Sequence, residues 1–295
     1  MKDISADDLE KKLLLVSKKS EFHQSEIIIP NANDYVVIGG KDIVVIGGPC
    51  AVESFNQIME IARNAKESGA KMLRGGVFKP LTFPYSNNLD YIDVGNDYDL
   101  AVERLEMLAN AGKVYDLPVV TEVMHVKYVE LVANYADVLQ IGARNMQNVE
   151  LLLEVGKIEK PVLLKRHPGM SLRDFLGAAE WIYSKGNYRI ILCERGVSAP
   201  HTHCINSRFL PDIAAIPYLK KYTHLPVIFD PSHSTFNRLI VAPMAKAAIA
   251  AGADGILVDV HPTPEKAAID PLQALDFKSF RQLVIDLDKI AGIVR

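Results

Sequence analysis

The chain has 295 residues, of which 49% are hydrophobic and 23% are charged, and its net charge is −3. This composition is that of a globular protein, and the length suits one large domain or two small ones. The negative net charge argues against a nucleic-acid-binding protein, because affinity for phosphate backbones needs clustered excess cations. No uninterrupted apolar run approaches roughly 18 residues, the N-terminus MKDISADDLEKK is too charged for a secretion signal, and three irregularly spaced cysteines do not form a disulfide framework. We therefore expect a soluble, cytoplasmic protein that binds neither nucleic acid nor membranes.

The first 40 residues differ in pattern from the rest of the chain. Residues 5–19 predict a short amphipathic helix, and residues 26–48 predict two strands interrupted at Asn31–Asp34 and Gly39–Gly40. We therefore expect an N-terminal extension, residues 1–40, made of a helix and a β-hairpin, followed by a second unit at residues 41–295.

From residue 41 onward, short β-branched runs alternate with helical stretches. The predicted strands are Ile43–Ile46, Lys71–Leu73, Pro118–Thr121, Asp137–Gln140, Pro161–Leu164, Arg189–Leu192, Pro226–Phe229 and Gly255–Val258. The predicted helices include Gln57–Ser68, Asp99–Val114, Asn148–Gly156, Leu172–Ser184 and Pro243–Ala251. The strand runs show little alternation, as expected of parallel strands covered on both faces. This alternation predicts an α/β fold, specifically a (β/α)8 TIM barrel. The main alternative, a doubly wound sheet, is less favoured because its G-x-G-x-x-G fingerprint is absent.

Polar or reactive residues follow every predicted strand. They are Cys50, Arg74, Glu122, Arg144, Lys165, Arg195, His233 and Asp259. In a (β/α)8 barrel the C-terminal strand ends meet at one rim, where active sites lie. Any one of these residues could be a salt-bridged structural group, but a set that includes every strand predicts a functional site.

Four of these residues are cations: Arg74, Arg144, Lys165 and Arg195. Four positive charges at one rim repel each other unless an anion lies among them. Arginine binds carboxylate and phosphate with two parallel hydrogen bonds, and lysine adds a point charge. The pattern predicts a site for a small molecule that carries both groups, although each cation alone is equally well explained as a barrel ion pair.

Cys50, His233, Asp259 and Asp270 predict a metal site at the same rim. A thiolate, an imidazole and two carboxylates suit a divalent first-row ion, and this mixed set does not distinguish Mn, Fe, Co and Zn. The spacing alone is weak evidence, since a single cysteine is more often an apolar core residue. Cys193, inside an apolar run, is predicted to lie in the core, and His201 and His203 are better explained as polar loop residues than as ligands.

Seven motifs identify a family resemblance. They are GGPCAVES (47–54), LRGGVFKP (73–80), QIGARNMQN (140–148), LLKR (163–166), ILCERG (191–196), DPSHS (230–234) and VDVHPTPEKAAID (258–270). In this order they resemble the type I, β-subtype 3-deoxy-D-arabino-heptulosonate 7-phosphate (DAHP) synthases, in a superfamily that also contains 3-deoxy-octulosonate 8-phosphate synthase. The resemblance implies a (β/α)8 barrel that condenses phosphoenolpyruvate with erythrose 4-phosphate at the start of the shikimate pathway, and a homodimer or homotetramer.

The resemblance also implies residue roles. Phosphoenolpyruvate would be bound by Arg74, Lys79, Glu122, Arg144, Lys165 and Arg195, and the metal by Cys50, His233, Asp259 and Asp270. Lys79 would be the catalytic general acid for the aldehyde oxygen, and the metal would act on that oxygen as a Lewis acid. The aldehyde acceptor would lie against Pro80, Leu81, Thr82, Ser232 and Arg238.

Two residues depart from the family pattern. Asp259 stands where the family usually has glutamate, which shortens a metal ligand by one methylene. In the family signature Lys-Pro-Arg-Thr, the arginine binds the phosphate group of erythrose 4-phosphate. Leu81 stands at the position of that arginine. Arg208, Arg238, His201 and His203 are candidate substitutes. Two alternatives therefore stay open: a paralogue of secondary metabolism that condenses phosphoenolpyruvate with a different aldehyde, phosphorylated or not, and a non-catalytic barrel.

Overall fold

The computed structural model describes residues 13, 15–32, 34–78, 98–199 and 208–295. The strands are β1 Ile27–Pro30, β2 Tyr35–Ile38, β3 Val44–Gly48, β4 Met72–Arg74, β5 Val119–Glu122, β6 Val138–Ile141, β7 Val162–Lys165, β8 Ile190–Glu194, β9 Val227–Phe229 and β10 Gly255–Asp259. The α-helices are α1 Phe55–Ser68, α2 Tyr98–Tyr115, α3 Val129–Tyr135, α4 Val149–Val155, α5 Leu172–Tyr183, α6 Ala215–Tyr222, α7 Pro231–Thr235, α8 Arg238–Ala250 and α9 Phe277–Val294. None of the helices in the described part of the chain is long and apolar enough to cross a membrane.

Strands β3 to β10 pair in parallel and close into a barrel in the order β10-β3-β4-β5-β6-β7-β8-β9. The predicted (β/α)8 fold is therefore confirmed, and each of the eight predicted strands lies within two residues of its observed bounds. Every residue of these strands is buried. Burial on both faces is the physical reason why the strand sequences show continuous apolar runs rather than alternation.

The β-hairpin predicted in the N-terminal extension is present, with β1 antiparallel to β2 and Ile27 opposite Ile38. Its inward side chains belong to the same apolar cluster as the side chains of the barrel interior. Gly39, just after β2, lies against Pro226, which directly precedes β9. The hairpin therefore covers the N-terminal end of the barrel, opposite the rim where the strands end.

Two predicted helices need correction. The helix predicted at residues 5–19 falls mostly outside the described residues, but at its end Ser17 forms an antiparallel bridge with Thr223, so that end is not helical. Backbone pairing to the barrel outweighs the local amphipathic pattern there. Helix α8 begins at Arg238, five residues before the predicted start at Pro243. Asn237 caps it by accepting the Leu239 N–H, and the proline removes only one hydrogen bond from the second turn.

His224 attaches the N-terminal segment to the barrel. Its Nε2 lies 2.9 Å from the Leu15 carbonyl oxygen and its Nδ1 lies 2.7 Å from Ser25 Oγ. The ring also stacks on His23, with ring centroids 4.2 Å apart. Burial lowers the pKa of His224, and the charges of His23 and Lys19 lower it further, against the Leu15 carbonyl, which raises it.

This lowered pKa predicts that acid weakens the fold. The unfolded chain, with a histidine pKa of about 6.5, takes up the proton before the folded chain does. The stabilisation from neutral His224 is therefore complete above about pH 6.5 and is lost as the pH falls toward the folded-state pKa. Urea unfolding at about pH 7.5 and 5.5 should show a larger loss of unfolding free energy for the wild type than for His224→Gln. Equal losses in both proteins would refute this role.

Candidate active site

The C-terminal ends of the barrel strands surround a cavity of about 450 Å³. Of the residues predicted for the rim or for metal binding, seven line this cavity: Arg74, Glu122, Arg144, Lys165, Arg195, His233 and Asp270. Arg208, a candidate acceptor ligand, lines it as well, together with His167, Pro168, Phe209 and Ile269. The convergence predicted from the strand ends is thus present in the structure.

Close backbone packing places Cys50 beside this cavity. Gly48 ends β3, and a Cβ on it would lie 1.8 Å from the carbonyl oxygen of Arg74, so only glycine permits this approach. The turn through Pro49 then places Cys50 beneath the rim, with a side chain that is 5% exposed.

Two of the pocket cations are paired with buried carboxylates. Arg74 Nη1 forms an ion pair with Asp259 and donates to the Pro49 carbonyl at 3.2 Å. Burial by itself lowers the pKa of Arg74, but the nearby charges of Asp259 and Cys50 outweigh burial and raise it. Lys165 Nζ lies 2.5 Å from Asp230 Oδ2. A buried carboxylate therefore holds each of these side chains in a fixed position.

Arg195 differs from these two cations. None of the described carboxylates forms an ion pair with Arg195, whose Nη2 donates only to the His233 carbonyl, at 3.4 Å. Burial lowers its pKa, Asp230 partly restores it, and Arg208 and Arg144 lower it further. Its guanidinium stacks over Phe209, 4.7 Å from the ring centre. A buried cation beside two others is costly unless an anion binds there, so this end of the cavity suits a phosphate or carboxylate group.

The four predicted metal ligands also come together. Their ligand atoms all lie within 4.8 Å of one another. Cys50 Sγ is 3.2 Å from Asp270 Oδ2 and 3.7 Å from His233 Nε2. His233 Nε2 is 3.6 Å from Oδ2 of both Asp259 and Asp270. Tetrahedral ligands on bonds of about 2.0–2.3 Å lie about 3.3–3.8 Å apart, so this cluster has the size and donor chemistry of a divalent metal site.

Asp230 orients the imidazole of His233 toward the other three candidate ligands. Its Nδ1 lies 2.9 Å from Asp230 Oδ2 and 3.1 Å from Oδ1, so Nδ1–H donates to the carboxylate and the Nε2 lone pair faces the cluster. Burial lowers the pKa of His233. The charges of Asp230 and Asp259 raise this pKa but do not outweigh burial, so the ring is neutral at pH 7. Burial raises the pKa of Asp230, but His233 and Lys165 hold it well below its ordinary value.

Some predicted site residues are not among those that line the cavity. Ser232 is fully buried and its Oγ accepts the N–H of Asp259 at 3.0 Å. Arg238 Nη2 donates to the Pro271 carbonyl at 2.9 Å, behind the loop that carries Asp270. Their contacts support the two ligand segments. The predicted residues outside the described part of the chain are Lys79, Pro80, Leu81, Thr82, His201 and His203.

Three supporting groups were not predicted from the sequence. Asp230 orients His233, and the DPSHS motif places it three residues earlier, on the same helical turn. Gln273 contacts the cluster carboxylates. Arg166 pairs with Glu194 at 2.8 Å, and Glu194 accepts the backbone N–H of Arg195 at 3.0 Å, which fixes the segment that presents Arg195. The LLKR and ILCERG motifs contain this pair, but no sequence signal indicates that they meet.

Comparison with known proteins identifies the family. The model of the DAHP synthetase I family matches residues 22–292. The phospho-2-dehydro-3-deoxyheptonate aldolase of Thermotoga maritima is 44% identical over 277 residues, which cover 94% of this chain and 77% of the relative. The 2-dehydro-3-deoxyphosphooctonate aldolase of Desulfotalea psychrophila is 28% identical over 279 residues, 90% of this chain and 95% of the relative.

The fold comparison agrees with the sequence comparison. A solved structure of a truncated 3-deoxy-D-arabino-heptulosonate 7-phosphate synthase from Thermotoga maritima superposes with a TM-score of 0.82 at 41% identity, and covers 96% of this chain and 97% of that chain. The resemblance inferred from the motifs is thereby confirmed. The chain belongs to the DAHP synthetase I family.

Proposed function

We propose that the protein is a metal-dependent DAHP synthase, which condenses phosphoenolpyruvate with erythrose 4-phosphate to give DAHP and phosphate in the shikimate pathway of aromatic amino acid biosynthesis. The observation that carries the proposal is that the anion pocket and the Cys50–His233–Asp259–Asp270 cluster are contiguous, since His233 and Asp270 belong to both. The phospho-2-dehydro-3-deoxyheptonate aldolase relative supports this choice of reaction.

The cations of the cavity bind phosphoenolpyruvate in this proposal. Arg144 and Arg195 both line the cavity, and none of the described carboxylates forms an ion pair with Arg195; Arg74 and Lys165 extend the positive wall. Glu122 lines the same cavity and contacts Gln140 Nε2 at 3.2 Å. The arginines bind the phosphate and stabilise the charge that grows on it as its C–O bond breaks, as expected for donors preorganised in a site of low dielectric.

The metal site is formed by Cys50, His233, Asp259 and Asp270, and suits Mn, Fe, Co or Zn. A bound divalent ion supplies Lewis acidity toward the aldehyde oxygen of the acceptor. Asp230 keeps the His233 imidazole in the tautomer that presents Nε2. The neutral imidazole matters because a protonated ring cannot bind a cation.

Bond formation joins the methylene carbon of phosphoenolpyruvate to the aldehyde carbon of the acceptor. Water adds at C2 of phosphoenolpyruvate, and phosphate leaves by cleavage of its C–O bond. Lys79 donates a proton to the aldehyde oxygen as it becomes a hydroxyl group. The roles of Lys79, Pro80, Leu81 and Thr82 rest on the family motif, since these residues lie in the undescribed segment 79–97.

A phosphate-release assay with phosphoenolpyruvate and a panel of aldehydes tests the reaction. We expect turnover with erythrose 4-phosphate that EDTA abolishes and a divalent first-row ion restores. Turnover only with another aldehyde would favour the paralogue. Leu81 supports that alternative, because a leucine at this position removes a cation from the acceptor side. No turnover with any aldehyde would support the non-catalytic barrel, and full activity of metal-free enzyme would refute the metal assignment.

We propose that the protein works in the cytoplasm as a homodimer or homotetramer. This assembly is the one that the family resemblance implies. A molar mass of a single chain in light scattering at micromolar concentration would contradict the oligomer.

A further inference from the structure

We propose that Gln273 is a positioning residue that holds Asp259 and Asp270 at the spacing a divalent cation requires. This inference rests on the metal site proposed above. Gln273 is fully buried in the segment between β10 and α9. Its Nε2 lies 2.5 Å from Asp259 Oδ2 and 3.4 Å from Asp270 Oδ2. These are the two carboxylate oxygens that lie 3.6 Å from His233 Nε2, so the amide contacts the donor atoms themselves.

Asp259 is held from both sides. Arg74 donates a hydrogen bond to Oδ1 and Gln273 donates one to Oδ2. The Asp259 side chain therefore cannot rotate without breaking one of these hydrogen bonds. The backbone of Gln273 is fixed as well, because Leu275 N–H donates to the Asp259 carbonyl at 2.9 Å and pairs this segment with the end of β10. Strand β10 thus positions both the ligand and the residue that orients it.

The amide suits this position because it donates hydrogen bonds without adding charge. Two carboxylates that face the same point repel each other and turn apart unless a donor or cation lies between them. A lysine there would neutralise part of the negative charge that binds the cation, whereas a glutamine leaves it intact. Gln273 therefore keeps the carboxylates together without adding another positive charge to those of Arg74, which pairs with Asp259, and Arg208, whose Nη2 lies 3.7 Å from Asp270 Oδ1.

The other end of the amide supports a role beyond packing. Gln273 Oε1 is buried and accepts no hydrogen bond from any described residue. A buried carbonyl without a donor is unfavourable, so a glutamine that served only the fold would be poorly suited here. The contacts of this side chain are concentrated on Nε2, which faces the two carboxylates.

Gln273→Met tests this inference, because methionine keeps the length of the side chain and removes the donor. The dissociation constant of Mn²⁺ is measured on metal-free protein by calorimetry for the wild type, Gln273→Met and Gln282→Met. Gln282 lies on α9, where it contacts Asp286 rather than the cluster, and serves as the matched control. We expect binding to weaken about 10–100-fold in Gln273→Met, the usual effect of losing a group that orients a metal ligand. Gln282→Met should bind like the wild type.

The outcomes separate the two proposals. If the wild type binds one Mn²⁺ and Gln273→Met binds it equally well, the role of Gln273 is refuted and the metal site stands. If the wild type binds no divalent ion, the metal site fails and this inference fails with it. Circular dichroism checks that the variants fold. If Gln273→Met does not fold, Gln273→Asn, which withdraws the amide by one methylene, must show the weaker binding, and unchanged binding in that variant refutes the inference.

Discussion

Cys50→Ala should lose its metal ion and its turnover together. Alanine removes the sulfur from a cluster whose remaining donors are one imidazole and two carboxylates, and three donors hold a divalent ion much more weakly than four. We expect turnover to fall by more than about 100-fold, beyond the 10–100-fold typical of residues that only orient a ligand. Phosphate release and the metal content of the purified protein, measured by atomic emission, give the two readings.

Cys193→Ala is the matched control for Cys50→Ala. Cys193 lies in the apolar interior of the barrel, and burial raises the pKa of its thiol, so it stays protonated and does not bind metal. The substitution should lower the free energy of unfolding by about 1 kcal/mol, as for loss of a small buried group, and leave metal content and turnover unchanged. Equal loss of metal in both variants, or full activity of Cys50→Ala, would contradict the assignment.

Arg195→Met should weaken phosphoenolpyruvate binding and leave the free protein as stable as the wild type, or more stable. Truncating one partner of a buried, charge-assisted contact costs about 2–5 kcal/mol, which weakens binding roughly 30-fold or more. In the free protein, Arg195 is a buried cation next to Arg208 and Arg144, so its removal relieves desolvation and repulsion. Methionine preserves the apolar contact with Phe209. Calorimetric titration with phosphoenolpyruvate and urea unfolding measure the two effects.

Arg189→Met provides the comparison for Arg195→Met. Arg189 directly precedes β8 and is exposed at the N-terminal end of the barrel, whereas Arg195 follows the same strand at the other end. This variant should bind phosphoenolpyruvate like the wild type. If Arg195→Met also retained full affinity, the anion site would have to lie elsewhere in the cavity.

Most of the barrel and its rim could be predicted from the chain alone. The β-branched runs that mark the strands are continuous because both faces of each strand are buried, and the residue after each run must then face the rim. Prediction was less accurate where tertiary contacts outweigh local pattern. The end of the predicted N-terminal helix is instead paired with Thr223, and α8 begins five residues before the proline that the pattern suggests as its start.

The fold and the chemical types of the groups at the rim can be read from the chain, because both follow from local periodicity and from the order of strands and loops. Which of these groups meet depends on contacts between distant parts of the chain. Arg74 pairs with Asp259 across 185 residues, and Gln273 reaches the same carboxylate from the other side. These pairings distinguish Arg74, which pairs with the proposed metal ligand Asp259, from Arg195, which has no ion-pair partner among the described carboxylates. Such distinctions depend on closure of the barrel, which brings β4 and β10 to either side of β3, and no spacing along the chain encodes them.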